Sequence, residues 1–179
     1  MSECLARLDA VGFPAAGGIQ VGDEQEITDN LQHFGDAAKQ ELLRRAGDAD
    51  AVSAGRNLAG AILRYWGDWR PSDVPALSIS LRLEHGGWTA WPLVEIGTRD
   101  AIQALVDDLV VIGPSSQTGG ALKKLGARAL PYLVPLLEDE RHALQVNTVI
   151  HGMGAKALDE AANWFALAEE APSIRKGGD

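Results

Sequence analysis

The stretch Leu125–Glu140, LGARALPYLVPLLEDE, carries an apolar stripe of helical spacing, yet it holds two prolines, Pro131 and Pro135, shortly after Gly126. Leu130, Leu133 and Leu137 stand at i, i+3 and i+7, positions that share one face of a helix. Proline has no N–H and clashes with the preceding turn, so it is tolerated best in the first turn, where the amides lack partners anyway. Pro131 therefore puts a helix start close to Leu130. Pro135 lies one turn deeper and predicts a bend.

The same stripe recurs with a period of 28 residues. Its first column reads Val74, Ile102, Leu130 and Leu158. Three residues on stand Leu77, Leu105, Leu133 and Ala161, and seven on stand Leu81, Leu109, Leu137 and Phe165. Pro75 repeats the position of Pro131. A second helix follows in each copy and runs to a glycine: LRYWG to Gly67, LVEIG to Gly97, LKKLG to Gly126 and IHGMG to Gly154. Glycine suits the left-handed position just past a helix C-terminus. Trp66, Ile96, Leu125 and Met153 precede these glycines, and Ile62, Leu93, Leu122 and Ile150 form an apolar row about one turn earlier. Gly35 opens a more divergent first copy, and the glycine spacings are 32, 30, 29 and 28.

Turn signals separate the two helices of each copy: GDAD (47–50), HGG (85–87), GPSSQTGG (113–120) and EDER (138–141). A helical pair this short cannot bury its stripe alone, so the copies must stack.

DVPALSISL and ALPYLVPLLED resemble the first helix of HEAT-like repeats of the short bacterial type, and GALKKLG resembles the end of their second helix. The resemblance covers roughly residues 30–170. It implies an all-α chain, an α-solenoid of about five HEAT-like helix pairs over residues 26–170. Residues 1–25, with Gly12, Pro14, Gly17 and Gly18, read as an irregular cap, and 171–179 as a frayed tail. HEAT-like proteins include scaffolds, inhibitors, lyases and DNA-repair enzymes, so function must be argued from a site.

Composition sets the outer limits. With 46% apolar and 23% charged residues, the 179-residue chain can bury a continuous core. The single cysteine, Cys4, excludes an intrachain disulfide and suits a reducing compartment. The N-terminus lacks the basic start and apolar run of a signal peptide, and no stretch approaches the roughly 18 apolar residues of a spanning helix. A cytoplasmic protein without a membrane partner is expected. Net charge is −9, which repels nucleic-acid phosphate and draws a basic partner.

Motifs for chemistry are sparse. Some HEAT-like di-iron hydroxylases carry His-Glu pairs on successive repeats, but this chain has only the reversed Glu84–His85. His33, His85, His142 and His151 fall at different points of the repeat and do not predict a metal centre. GPSSQTGG lacks the Lys-Ser/Thr ending of a phosphate loop and reads as a flexible turn. Asp107–Asp108 and Glu138–Asp139–Glu140 read as solvated faces, and no Gly-x-Ser-x-Gly elbow is present. Arg64, Arg70, Lys123, Lys124, Arg128 and Lys156 lie near the ends of second helices, where cations complement the helix dipole. No catalytic residue, metal or cofactor is therefore assigned.

A binding face is the sharper expectation. The resemblance to HEAT-like repeats implies that Gly60, Trp91, Gly120 and Thr148 of the second helices face outward, which makes Trp91 an aromatic among small or polar residues. It is either a hot spot on a concave face or a filler of a packing gap. Arg64, Tyr65, Glu95, Lys123, Lys124 and His151 join it on that face, and Trp69 stands as an edge anchor in a loop. Trp66, Trp88 and Trp164 read as core. The leading expectation is a non-catalytic module that grips one protein, as a scaffold or as an immunity or inhibitor protein. The alternatives are a HEAT-like accessory enzyme of the lyase type and, behind it, a nucleic-acid binder.

Overall fold

A computed structural model describes residues 23–155 apart from 51–52, 84–86 and 114–115, together with 157, 159 and 162. The expectations placed on Cys4, Glu84, His85, Lys156, Trp164, Leu158, Ala161, Phe165, the N-terminal cap and the tail lie outside the described residues. The described residues form an all-α fold, with no strand among them. The helices are α1 (Asp23–Gln32), α2 (Gly35–Ala46), α3 (Ser53–Leu63), α4 (Val74–Leu83), α5 (Ala90–Ile96), α6 (Arg99–Ile112), α7 (Ser116–Leu125), α8 (Leu130–Leu133) and α9 (Glu140–His151). Short 3₁₀ turns at Pro71–Asp73, Gly126–Ala129 and Val134–Glu138 extend three of the connections.

Neighbours in the chain are neighbours in space. Helix α2 packs on α3 and α4, α4 on α5 and α6, α6 on α7 and α8, while α5 lies along α7 and α7 along α9. Helix α1 covers α2 and α3.

The 28-residue columns supply this packing. Val74, Ile102 and Leu130 are buried at or near the starts of α4, α6 and α8, and Leu77, Leu105, Leu133, Leu81 and Leu109 are fully enclosed. Each such leucine contributes about 1.5–3 kcal/mol relative to an exposed one. The row Ile62, Leu93, Leu122 and Ile150 is buried on the second helices.

All five glycines that separate the copies, Gly35, Gly67, Gly97, Gly126 and Gly154, have positive φ. At Gly97 (φ 55°) the left-handed residue closes α5, and its N–H returns to the Leu93 carbonyl at 2.9 Å.

Two local readings change. Pro135 does more than bend its helix: α8 is one turn long, and the chain continues from Val134 to Glu138 as 3₁₀. Proline cannot donate the i→i−4 bond, so the tighter winding takes over and Leu137 is only partly buried. GPSSQTGG is not a turn throughout: α7 starts at Ser116 and contains Gln117–Gly120. Two helical glycines are unfavourable by propensity. Here they allow close approach: a Cβ at Gly119 would meet Val149 of α9 at 4.0 Å, and one at Gly120 would meet the Trp91 ring at 3.8 Å.

Candidate protein-binding surface

The second helices bring most of the expected binding residues into one line of contacts. At its head, the chain leaves α3 through a turn in which the Arg64 N–H bonds the Gly60 carbonyl at 3.1 Å. The Arg64 guanidinium lies 4.8 Å from the centre of the Trp88 ring and 5.4 Å from that of Tyr65. Stacking on aromatic faces holds a guanidinium without a carboxylate partner. Trp88, read as core, is half-buried beneath an arginine instead. Trp66 is in the core, 9% exposed.

Trp88 hands the line to Trp91, one turn on, whose N–H reaches the Trp88 carbonyl at 3.4 Å. Trp91 is half-buried: its ring lies over Gly120, and its indole N–H donates to Gln117 Oε1 at 2.7 Å. Gap filling and surface display thus meet in one side chain, with one face seated on α7. Glu95 follows Trp91 by one helical turn and is exposed. On α7, Gln117, Gly120 and Lys124 stand at i, i+3 and i+7, and Lys123 follows Gly120 by three. The Lys123 side chain lies against Gly152, next to the exposed His151 at the end of α9.

The line thus runs Tyr65, Arg64, Trp88, Trp91, Gly120, Lys123 and on to Gly152 and His151, every member at least partly exposed. Gln117 is an addition that the loop reading of its segment hid; its helical spacing to Gly120 and Lys124 was the available signal.

Trp69 does not join this line. It is half-buried beside α2, where the Lys39 ammonium sits 4.5 Å from its ring centre. That lysine is 1% exposed and pairs with Asp73 at 2.6 Å. Asp108 also departs from its expected solvated face. It is 1% exposed, and it accepts a 2.6 Å bond from the hydroxyl of buried Thr118 on α7. Asp107 beside it stays accessible, accepting from Gln103 at 2.8 Å and facing Arg82 at 3.9 Å.

Arg44 and Arg45 are tied to Glu41, Arg70 to Asp36, Arg82 to Asp107 and Arg141 to Asp139. Arg128 donates to the Gly97 carbonyl. Arg64, Lys123 and Lys124 enter no ion pair among the described residues.

Elsewhere an open groove of about 360 Å³ lies between α4 and α6, lined by Pro71, Pro75, Ser78, Arg82, Gln103 and Asp107 among others. Among the described residues no group of three His, Cys, Asp or Glu is placed to hold a metal, and no helix is long and apolar enough to cross a membrane.

No family model matches the chain, and neither a curated protein nor a solved structure matches it.

Proposed function

We propose that the chain is a non-catalytic protein-binding module, a HEAT-like α-solenoid that grips one protein with the face formed by its second helices, in the manner of an inhibitor or immunity protein. The stacking of each helical pair on the next and the positive-φ glycines between copies support the solenoid reading. The observation that carries the function is the contact line from Tyr65 to His151. Half-buried Trp88 and Trp91 are positioned by Arg64, Gln117 and Gly120, and cations without carboxylate partners among the described residues flank them. Aromatic and arginine anchors in partly desolvated seats dominate protein interfaces, whereas a catalytic site converges on a pocket.

The test is affinity capture from the source cell with the wild type, Trp88→Ala, Trp91→Ala and a control, Ile79→Ala. Ile79 is 51% exposed on α4, a first helix of its pair. A hot-spot tryptophan costs about 2–4 kcal/mol of binding, which lowers affinity at least about 30-fold. One partner should be lost from both tryptophan variants and kept by Ile79→Ala, with the melting curves establishing that the variants fold. Identical partner lists for all four proteins would remove this surface from the function.

A further inference from the structure

The contact line carries the opposite sign from the molecule around it. The chain as a whole is −9. Along the line stand three cations, Arg64, Lys123 and Lys124, against one exposed carboxylate, Glu95. Among the described residues none of the three enters an ion pair, a state shared with Arg99, while five other arginines are matched to Asp or Glu. Arg64 is held in place by Trp88 and Tyr65, and a stacked guanidinium loses little freedom when its N–H edge takes a carboxylate.

Net charge acts over the whole surface, but at physiological salt its reach is cut to about 8 Å. A docked segment therefore feels the local cations more than the distant carboxylates.

From this we infer the partner's chemistry, which rests on the protein-binding reading above: the surface takes a protein segment with spaced Asp or Glu side chains and apolar residues between them. Carboxylates seat on Arg64 at one end and on Lys123 and Lys124 at the other. Apolar side chains cover Trp88 and Trp91 in between. The spacing favours a protein over nucleic acid. Duplex phosphates follow one another about every 1.7 Å of axis, and such a line would run past the cations, over the neutral tryptophans and onto the acidic remainder of the molecule. A protein segment can place its few charges where the cations are and nowhere else.

The experiment selects a random peptide library, displayed on phage, against the full-length protein. Peptides enriched on the wild type are then measured by fluorescence anisotropy on the wild type, Arg64→Ala and the double variant Lys123→Glu with Lys124→Glu. A single-stranded 20-mer and its duplex serve as nucleic-acid probes. Indole N–H signals of Trp88 and Trp91 report whether a probe occupies the surface.

Enriched peptides should be acidic with interspersed apolar residues, and they should shift both indole signals. The double charge reversal should weaken them about tenfold or more, and Arg64→Ala less. Neutral or basic peptides that move the two indoles would overturn the sign and leave the surface standing. Oligonucleotides that bind through the lysines while acidic peptides do not would overturn the protein partner. Enriched peptides that leave both indoles unmoved would overturn the surface, and with it the reading on which this inference rests.

Discussion

The turn from α3 into α4 and the turn from α5 into α6 make the same connection by different means. The first is long. After Gly67 (φ 70°) it passes through Asp68, which has φ 48° without being glycine, then through Trp69 and Arg70 to the 3₁₀ turn ending at Asp73. Buried Lys39 holds it from α2, donating to the Asp68 carbonyl at 2.7 Å and pairing with Asp73 at 2.6 Å. Asp73 in turn accepts the Arg70 N–H at 3.0 Å.

The second turn is only Gly97 and Thr98. Glycine takes the left-handed position, Thr98 caps α6, and Arg128 from the following copy donates to the Gly97 carbonyl. In both turns a cation donates to the carbonyl of a positive-φ residue. The long turn uses buried Lys39, paired with buried Asp73, and the short one uses exposed Arg128, which reaches the buried Gly97. The longer connection is accompanied by buried polar groups, which must find partners.

The buried pair should dominate any comparison of the two turns. Removing one member of a buried ion pair leaves the other charge without its partner, which costs about 3–5 kcal/mol, while replacing both with apolar residues of similar size is often neutral. Lys39→Ala and Asp73→Ala should each lose about that much in urea unfolding. Lys39→Met combined with Asp73→Leu should recover most of it. If the double variant stays as unstable as the single ones, the turn depends on the bonds to the Asp68 carbonyl and Arg70 N–H more than on the charges.

The two glycines give a finer contrast. Alanine at a positive φ costs about 1–2 kcal/mol through backbone strain alone. At Gly67 a Cβ would meet nothing within 4 Å, so Gly67→Ala should show only that strain. At Gly97 the Cβ would strike the Arg128 guanidinium. Gly97→Ala should therefore be less stable than Gly67→Ala by about 1 kcal/mol, the worth of a displaced hydrogen bond. Arg128→Ala should abolish that difference. Equal losses at the two positions would mean that the arginine moves aside freely.

These contrasts explain what the sequence made legible. Periodicity located the buried columns and the positive-φ glycines, because both follow from the helix repeat and from backbone sterics. It could not see that Lys39 turns inward, since a lysine is ordinarily solvated and its partner Asp73 is 34 residues away. Asp107 and Asp108 look alike in the chain; only the helix rotation, which points Asp108 at Thr118, separates them. The line of contacts was legible through Trp91 and the residues before the closing glycines. Trp88, read as core, is half-buried because the Arg64 guanidinium rather than the apolar interior covers its ring. Gln117 was lost because glycine-rich sequence reads as a turn until a neighbouring ring, here that of Trp91, gives the glycines a packing role.

The smallest expected effect lies two residues from Lys39, on the same helix. Glu41 accepts from Arg44 at 2.7 and 2.8 Å and from Arg45 at 2.9 Å. The hydrogen bond from Arg44 leads in holding its carboxyl down, from the usual 4.5 to about 2, although partial burial opposes the shift. The folded value lies below the unfolded one. The stability it supplies is therefore complete above about pH 4.5 and lost as pH falls toward 2. Arg44 is 60% exposed, so solvent screening limits the contribution to under about 1 kcal/mol. Asp139, lowered to about 2 chiefly by the Arg141 side chain, acts in the same direction. Urea midpoints followed from neutral pH down to about pH 2 should fall less steeply in Glu41→Gln than in the wild type, with the two proteins nearly equal at the acid end. An unchanged slope would assign the acid loss to carboxylates elsewhere, among them Asp36, which pairs with Arg70, and Asp73, which pairs with buried Lys39.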